Sequence, residues 1–449
     1  MSYTLYRRYT VDNKPLEDTP IRPNTSDAPK QSATFSKLAI GALMTALVIS
    51  FIPSAVGQPS QTKPTDSVIS GLPYTNDVER AMVRTLEILK DGGLKPAMQE
   101  LDAALIKNPN FRLGHLMRAD LLMAKSGVAV ALSGQPGVKQ APDSLSNIAE
   151  LRHEAQVRLN RYFDAPPTDA LPSAMLQLAP EQAHAILVDM TRARIYVFEN
   201  VDGKPKRVAD FYATIGKRGM EKAREGDQKT PIGVYHITST VAKEKLTDFY
   251  GPGAFPINFP NELDKRLGRT GSGIWIHGTP SDTYSRAPWA SDGCVVLTND
   301  DFVRLSKFIV PGITPVIISP MVEWQSPPDW SAFNGAFDSY LNQWKSDWES
   351  LDVERYLSHY SLKFDAEGKD IIKWSTHKRR VNAGKNFVKV DISNLSIFEY
   401  ATAVNVAPMI MVTFDQTYKS SNSNSRMKKR QFWQREDGKW KIVFEGASG

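Results

Sequence analysis

Residues 273–300 read GIWIHGTPSDTYSRAPWASDGCVVLTND, and this stretch decides both the fold and the chemistry. Ile274-Trp275-Ile276 has the apolar and aromatic character of a short buried strand, and it ends on His277-Gly278-Thr279. Seventeen residues beyond the histidine stands Cys294, preceded by Ser291-Asp292-Gly293 and followed by Val295-Val296-Leu297-Thr298-Asn299. A strand that ends in histidine and a Gly-Cys after a loop can bring an imidazole and a thiol together. A thiol is largely protonated near neutral pH, so a neighbouring imidazole that takes its proton, and later hands it to a leaving amine, makes it a nucleophile. Gly293 permits a tight backbone and close substrate approach, and amides near Cys294 are placed to hold a developing oxyanion. Trp275 and Ile276 alternate about the strand and read as core. A histidine and a cysteine also co-occur by chance, so the pair needs support from the surrounding sequence.

Cys294 is the only cysteine, which excludes an intrachain disulfide and any multi-cysteine zinc site. A buried structural cysteine would have apolar neighbours, and Ser291, Asp292 and Gly293 are not apolar. A hydrophobic share of 41% with 23% charged residues is that of a globular protein, and 449 residues suggest about two to four domains. Of the net charge of +6, residues 1–57 contribute six Lys/Arg against four Asp/Glu, leaving about +4 dispersed over the rest. No dense basic face with interleaved aromatics is present, which excludes nucleic acid as the expected partner.

Upstream the texture changes several times. Lys37 precedes an uncharged run of fifteen residues, Leu38–Ile52, and then Pro53 and Ser54-Ala55-Val56-Gly57. This reads as a signal peptide cleaved after Gly57, with a membrane anchor through residues 38–57 as the alternative; either one exports the rest to the periplasm or cell envelope. Residues 58–73 are rich in Pro, Ser and Thr and read as a linker. Residues 74–163 carry apolar residues at 3–4 spacing (Val78, Met82, Val83, Leu86, Leu89, then Ala97, Leu101, Ala104, Leu105) and predict a small all-α module. Ala104–Asn110 followed by Phe111, Leu113, Leu116 and Met117 resembles the junction of a tetratricopeptide-type helix pair. No second copy is evident, and the sequence names no protein partner for this module.

After Pro166-Pro167 the runs become short, β-branched and aromatic, predicting a mostly-β domain over 182–320. Past Pro327-Pro328, Phe333, Phe337, Tyr340, Leu341, Trp344 and Trp348 share a helical face. Strands follow around 387–392, 397–404, 409–418, 430–435 and 440–444, the last two joined by an Asp437-Gly438 turn. Helices followed by a long antiparallel sheet predict an α+β domain over 331–447, and the pattern resembles the NTF2-like cone.

The motif HGT, then S-x-G-C-x-x-x-x-N, is similar to that of the YkuD family of L,D-transpeptidases. Ile215-Gly216-Lys217, Glu225-Gly226-Asp227, Thr230–Tyr235 and Tyr250–Asn261 stand upstream in the family's order, so the likeness spans 182–320. The resemblance implies wall biogenesis and cell shape: attack by Cys294 on an L,D peptide bond of a peptidoglycan stem, release of the terminal D-residue, and a thioester resolved by an amine of a second stem or of a wall-linked protein. It makes His277 the base and then the acid, puts Gly293 at the oxyanion region, and makes Gly278, Ser291, Asp292, Asn299 and Tyr250 substrate-side residues. The route needs no metal and no organic cofactor, since sulfur carries the acyl group. Two positions depart from the family pattern: Asp292 replaces a common histidine, and Val296 replaces an arginine that engages a substrate carboxylate. The GIWIHG and FPINFPN style resembles the YafK-like branch, which leaves a hydrolase, with water as the acceptor, open beside the transferase. A non-catalytic wall-binding scaffold is the third reading. Glu225 and Asp227, before a Thr-Pro turn, read as loop-fixing residues.

Overall fold

The computed structural model describes residues 76–126, 142–366, 368–400 and 407–448. The expected leader, anchor and linker, residues 1–73, lie outside the described residues. Among the described residues no helix is long and apolar enough to cross a membrane.

Among the described residues, four helices form the N-terminal module: α1 (Asp77–Asp91), α2 (Leu94–Lys107), α3 (Arg112–Lys125) and α4 (Pro142–Phe163). Their apolar stripes meet in a core of Val78, Met82, Leu101, Leu105, Phe111, Leu113 and Leu121. Asn76 caps α1 by accepting from the amide of Val78, as short polar residues do at helix starts.

The next domain is built on a five-stranded sheet. Its strands are β1 (His184–Asp189), β2 (Arg194–Val201), β3 (Lys204–Tyr212), and, further along the chain, Gly233–His236 and Pro315–Ser319. The order is β3-β2-β1, then Pro315–Ser319 parallel to β1, then Gly233–His236 antiparallel on the edge. Near-continuous apolar runs suit a sheet covered on both faces. One face packs against a second, four-stranded sheet containing Gly253–Pro256, Trp275–His277 and Val295–Val296; Ile186, Val188, Phe211, Phe255, Ile276 and Val295 share that core.

The other face, through Ala185, Leu187, Tyr196, Phe198 and Ile317, packs on the C-terminal domain through Phe398, Tyr400, Met411, Phe432 and Val443. Met175–Gln177, a strand that precedes the five-stranded sheet in the chain, pairs with Ile397 and Phe398 of the C-terminal sheet and stitches the two domains together. The C-terminal domain starts with a long helix, Pro327–Glu349, capped by Ser326 and carrying Phe337, Leu341, Trp344 and Trp348 inward. Four long antiparallel strands curve round it: Val388–Tyr400, Met409–Ser420, Ser423–Glu436 and Lys439–Ala447.

The first of these four is one strand where the sequence predicts two. Its register shifts between Ser393 and Ser396, where Asn394 takes a left-handed conformation (φ 50°) and donates to Asp415. Such a bulge interrupts alternation without ending the strand. The rest of the predicted second strand, 401–404, lies outside the described residues. Asp437 and Gly438 both have positive φ (47° and 78°), as the tight turn requires. Inside the cone Lys429 pairs with Glu445 at 2.7 Å, and Lys378 lies over Trp374, its ammonium 4.2 Å from the ring centre.

Candidate active site

The strand Trp275–His277 and the short strand Val295–Val296 run parallel, with Ile276 opposite Val295 and His277 opposite Val296. Side chains alternate along a strand, so carrying the register back one residue puts Cys294 on the face that carries Trp275 and His277. The loop between them returns through Trp289–Ser291, which pairs in parallel with Ile215-Gly216.

Gly293 and Gly216 are held by close backbone approach. A Cβ on Gly293 (φ 124°) would stand 2.8 Å from the carbonyl oxygen of Lys229, and one on Gly216 would stand 2.7 Å from both Gln228 O and Thr230 N. Thr230 joins the two: its hydroxyl accepts from the Gly216 amide (2.8 Å) and donates to the Gly293 carbonyl (3.0 Å).

The His277 ring is 1% exposed, and its Nδ1 lies 2.7 Å from the Gly278 carbonyl oxygen. A carbonyl oxygen only accepts, so Nδ1 carries the proton and Nε2 is left with a free lone pair. Burial lowers the imidazole's pKa to about 4, with Arg286 adding to the effect and the Gly278 bond opposing it, so the ring is neutral at neutral pH. Cys294 is partly exposed. Its Sγ lies 3.4 Å from the Gly273 carbonyl and faces the Trp275 amide. Burial raises the thiol above its ordinary value and Asp292 adds to this, while the Trp275 amide, Arg286 and Lys222 work the other way. At rest both the thiol and the imidazole are therefore neutral at neutral pH.

Ser291 accepts from the Gly293 amide (3.1 Å) and donates to the Cys294 carbonyl (2.6 Å), bracing the cysteine turn. The Gly293 amide is thus already engaged. Asp292 is exposed, paired with Lys217 at 2.8 Å and accepting from Gln228 at 3.1 Å, and does not orient His277. Asn299 accepts from the Thr279 amide at 2.8 Å, and its oxygen crowds the places where Gly278 and Gly251 would carry a Cβ. Tyr250 packs on the histidine strand, with its ring centre 5.0 Å from that of His277 and 4.9 Å from that of Trp275. Asp227 accepts from the amides of Ala223, Arg224 and Lys229 and pairs with Lys222, fixing its loop. Although burial opposes it, these partners hold its carboxyl at about 2.

The sequence reading missed three contributors. Phe249 is 44% exposed, lies 5.9 Å from the His277 ring and carries the Arg286 guanidinium over its face at 4.7 Å. Arg286 and Tyr284 belong to the loop between the two catalytic candidates, which reads from sequence only as a spacer. Tyr284 inserts into the core of the helical module, 5.1 Å from the ring of Phe111, and donates to Asn76, while Ser285 donates to Glu154 at 2.7 Å.

Residues 183–318 match the family model of the YkuD L,D-transpeptidase catalytic domain, and residues 336–446 match that of the Cds6 C-terminal NTF2-like domain. Residues 183–318 are a YkuD-family L,D-transpeptidase domain. Solved structures agree in fold. Bdellovibrio bacteriovorus Bd1075 is 27% identical with a TM-score of 0.55, over 62% of this chain and 99% of that one. The helical cell shape determining protein Pgp2 of Campylobacter jejuni is 26% identical with a TM-score of 0.52, over 61% of this chain and 95% of that one. Comparison with curated proteins gave no match. The chain thus combines a domain matching the L,D-transpeptidase catalytic family with an NTF2-like domain packed on its five-stranded sheet.

Proposed function

We propose that this chain is an exported cysteine acyltransferase that forms a thioester between Cys294 and a peptidoglycan stem peptide and passes the acyl group to an amine. What supports this reading is the parallel register of Ile276 on Val295 and His277 on Val296, directly after Cys294, with the imidazole's Nδ1–H engaged by Gly278 and its Nε2 unprotonated.

In the proposed cycle Nε2 takes the thiol proton as sulfur attacks the scissile carbonyl carbon. The Cys294 amide is the proposed donor to the oxyanion, because the Gly293 amide is already on Ser291. Collapse of the tetrahedral intermediate breaks the C–N bond, and the imidazolium protonates the departing amine of the terminal D-residue. An incoming amine then attacks the thioester, gives its proton to His277, and releases sulfur, which recovers that proton.

A second reading keeps the thioester and uses water as acceptor. It is favoured by the likeness to a protein described as determining helical cell shape, since trimmed stems can no longer donate to cross-links. The test is mass spectrometry of wall fragments incubated with residues 58–449, wild type beside Cys294→Ala. Loss of a terminal D-residue with new amine adducts, in the wild type alone, supports transfer. Shortened stems alone support hydrolysis. Identical fragments from both proteins would overturn the catalytic reading and leave a wall-binding scaffold.

A further inference from the structure

We propose that Arg286 is the specificity residue of this site, binding the free carboxylate of the substrate's terminal residue next to the scissile bond. This rests on the acyl-transfer reading above. The position from which family members extend an arginine is occupied here by Val296, a buried residue that cannot take an anion. Arg286 is held beside that same position. The amide and carbonyl of Val296 exchange hydrogen bonds with Thr214 (2.9 and 2.8 Å), and the Thr214 hydroxyl donates to the Arg286 carbonyl at 3.1 Å. Tyr212 donates to the same carbonyl at 2.8 Å. The backbone of Arg286 is therefore tied, one residue away laterally, to the rung two residues past the nucleophile.

The side chain is placed to meet an anion. Its guanidinium lies over Phe249, which also flanks His277, and its charge is felt by both Cys294 and His277. The neighbouring cations are already matched, Lys217 by Asp292 and Lys222 by Asp227, both at 2.8 Å. Arg286 forms no ion pair among the described residues. The Asp292 carboxylate acts on it electrostatically but pairs directly with Lys217, so a half-buried guanidinium with a planar fork, fixed at the backbone and without a direct ion pair among the described residues, suits a carboxylate. In a stem cut before its last residue, the terminal carboxylate lies one residue beyond the carbonyl that Cys294 attacks. An arginine close to the sulfur therefore reads chain-end stems in preference to those extended or amidated there.

Two experiments test this. The first compares kcat/KM for a stem peptide with a free C-terminus and for its C-terminal amide, in wild type, Arg286→Ala and Arg286→Lys. A charge-assisted hydrogen bond predicts that the wild type favours the acid about ten- to a hundredfold and that Arg286→Ala loses this preference, with Arg286→Lys between them. Equal loss on both peptides would make Arg286 merely structural and overturn the proposal. The second does not depend on the stem being the substrate. The ratio of Cys294 alkylation rates by iodoacetate, an anion, and by iodoacetamide, its neutral analogue, is expected to fall several-fold in Arg286→Ala. An unchanged ratio overturns the proposal even if the stem is turned over. A fallen ratio with no turnover of either peptide by the wild type locates the failure in the acyl-transfer reading instead.

Discussion

Replacing Glu79 by glutamine tests whether buried charge docks the helical module onto the catalytic domain. Glu79 accepts from Arg158 at 2.8 Å and from Arg194 at 2.9 Å, and both it and its partners are 3% exposed or less at the side chain. Arg158 also pairs with Glu154, while Asp210 takes both Arg194 and Arg161. Three cations and three anions thus balance across the interface. Burial pushes the Glu79 carboxyl up, yet Arg194 and Arg158 outweigh it and hold it at about 2. A depressed carboxylate contributes stability above its unfolded pKa, here 4.5, and loses it as pH falls towards the folded value of about 2. Glu79→Gln leaves a buried positive charge unmatched, which costs about 3–5 kcal/mol. That raises the undocked population about a hundredfold or more. Hydrogen exchange at pH 7 is expected to quicken in 77–91 and in the loop 279–288, because Tyr284 and Ser285 are held by the module, and the effect should fade towards pH 2. Glu79→Met with Arg194→Met removes one charge of each sign, leaves Arg158 on Glu154 and Arg161 on Asp210, and is expected to recover most of the loss. A cost under about 1 kcal/mol for Glu79→Gln, with unchanged exchange in both segments, would refute the docking argument.

Gly293→Ala places a Cβ against the Lys229 carbonyl at a positive φ, and the resulting shift of the cysteine turn is expected to lower kcat by about a hundredfold with little change in KM. Kinetics on wall fragments check this, and wild-type kcat would contradict it. The alkylation rate of Cys294 by iodoacetamide is expected to climb with pH, with its midpoint above the ordinary thiol range and no plateau near pH 5. A plateau there, lost in His277→Asn, would instead indicate a preformed thiolate–imidazolium pair. Because burial drops His277 from 6.5 to about 4, the unfolded chain binds the extra proton more tightly between those values. The domain should therefore lose about 3 kcal/mol of stability as pH falls from 6.5 to 4, and His277→Gln should flatten that slope in urea titrations.

The strands and the candidate pair were legible because local pattern and local chemistry coincide in them. Ile274–His277 and Val295–Leu297 are short apolar runs, and the structure puts each in a strand or at its end; Gly278 and Gly293 near them are close approaches, while Gly273 has open space and a positive φ of 71°. The cone helix likewise declared itself through Phe337, Leu341, Trp344 and Trp348. What was illegible depends on distant partners. Nothing in Tyr-Ser-Arg at 284–286 signals that its first residue sits in a helical core more than a hundred and fifty residues upstream, or that its last lies over Phe249. The resemblance puts Ser291 and Asn299 on the substrate side; the structure shows what sequence does not, that both engage neighbouring backbone. The motif Phe-Pro-Ile-Asn-Phe-Pro-Asn has a similar explanation: Asn258 accepts from His236, and Asn261 caps a helix while donating to Val234 and Tyr400.

The neutral pair at rest bears on when the site becomes reactive. Burial holds the imidazole at about 4 and keeps the thiol above its ordinary value, so the separated-charge state is disfavoured in the free protein. In the proposed cycle, proton transfer accompanies attack instead of preceding it. Burial is the largest cause on both groups, and a bound stem does not relieve it. Arg286 is different, since its charge lowers the imidazole's proton affinity. A substrate carboxylate on Arg286 would cancel that charge and make Nε2 a stronger base at the moment a correct chain end is present. It would also remove some of the help Arg286 gives the thiolate, so the net gain depends on the carboxylate lying closer to the imidazole than to the sulfur. On this reasoning the arginine contributes to discrimination first and to rate second, and Arg286→Ala should alter the acid-to-amide preference more than it alters turnover of the amide.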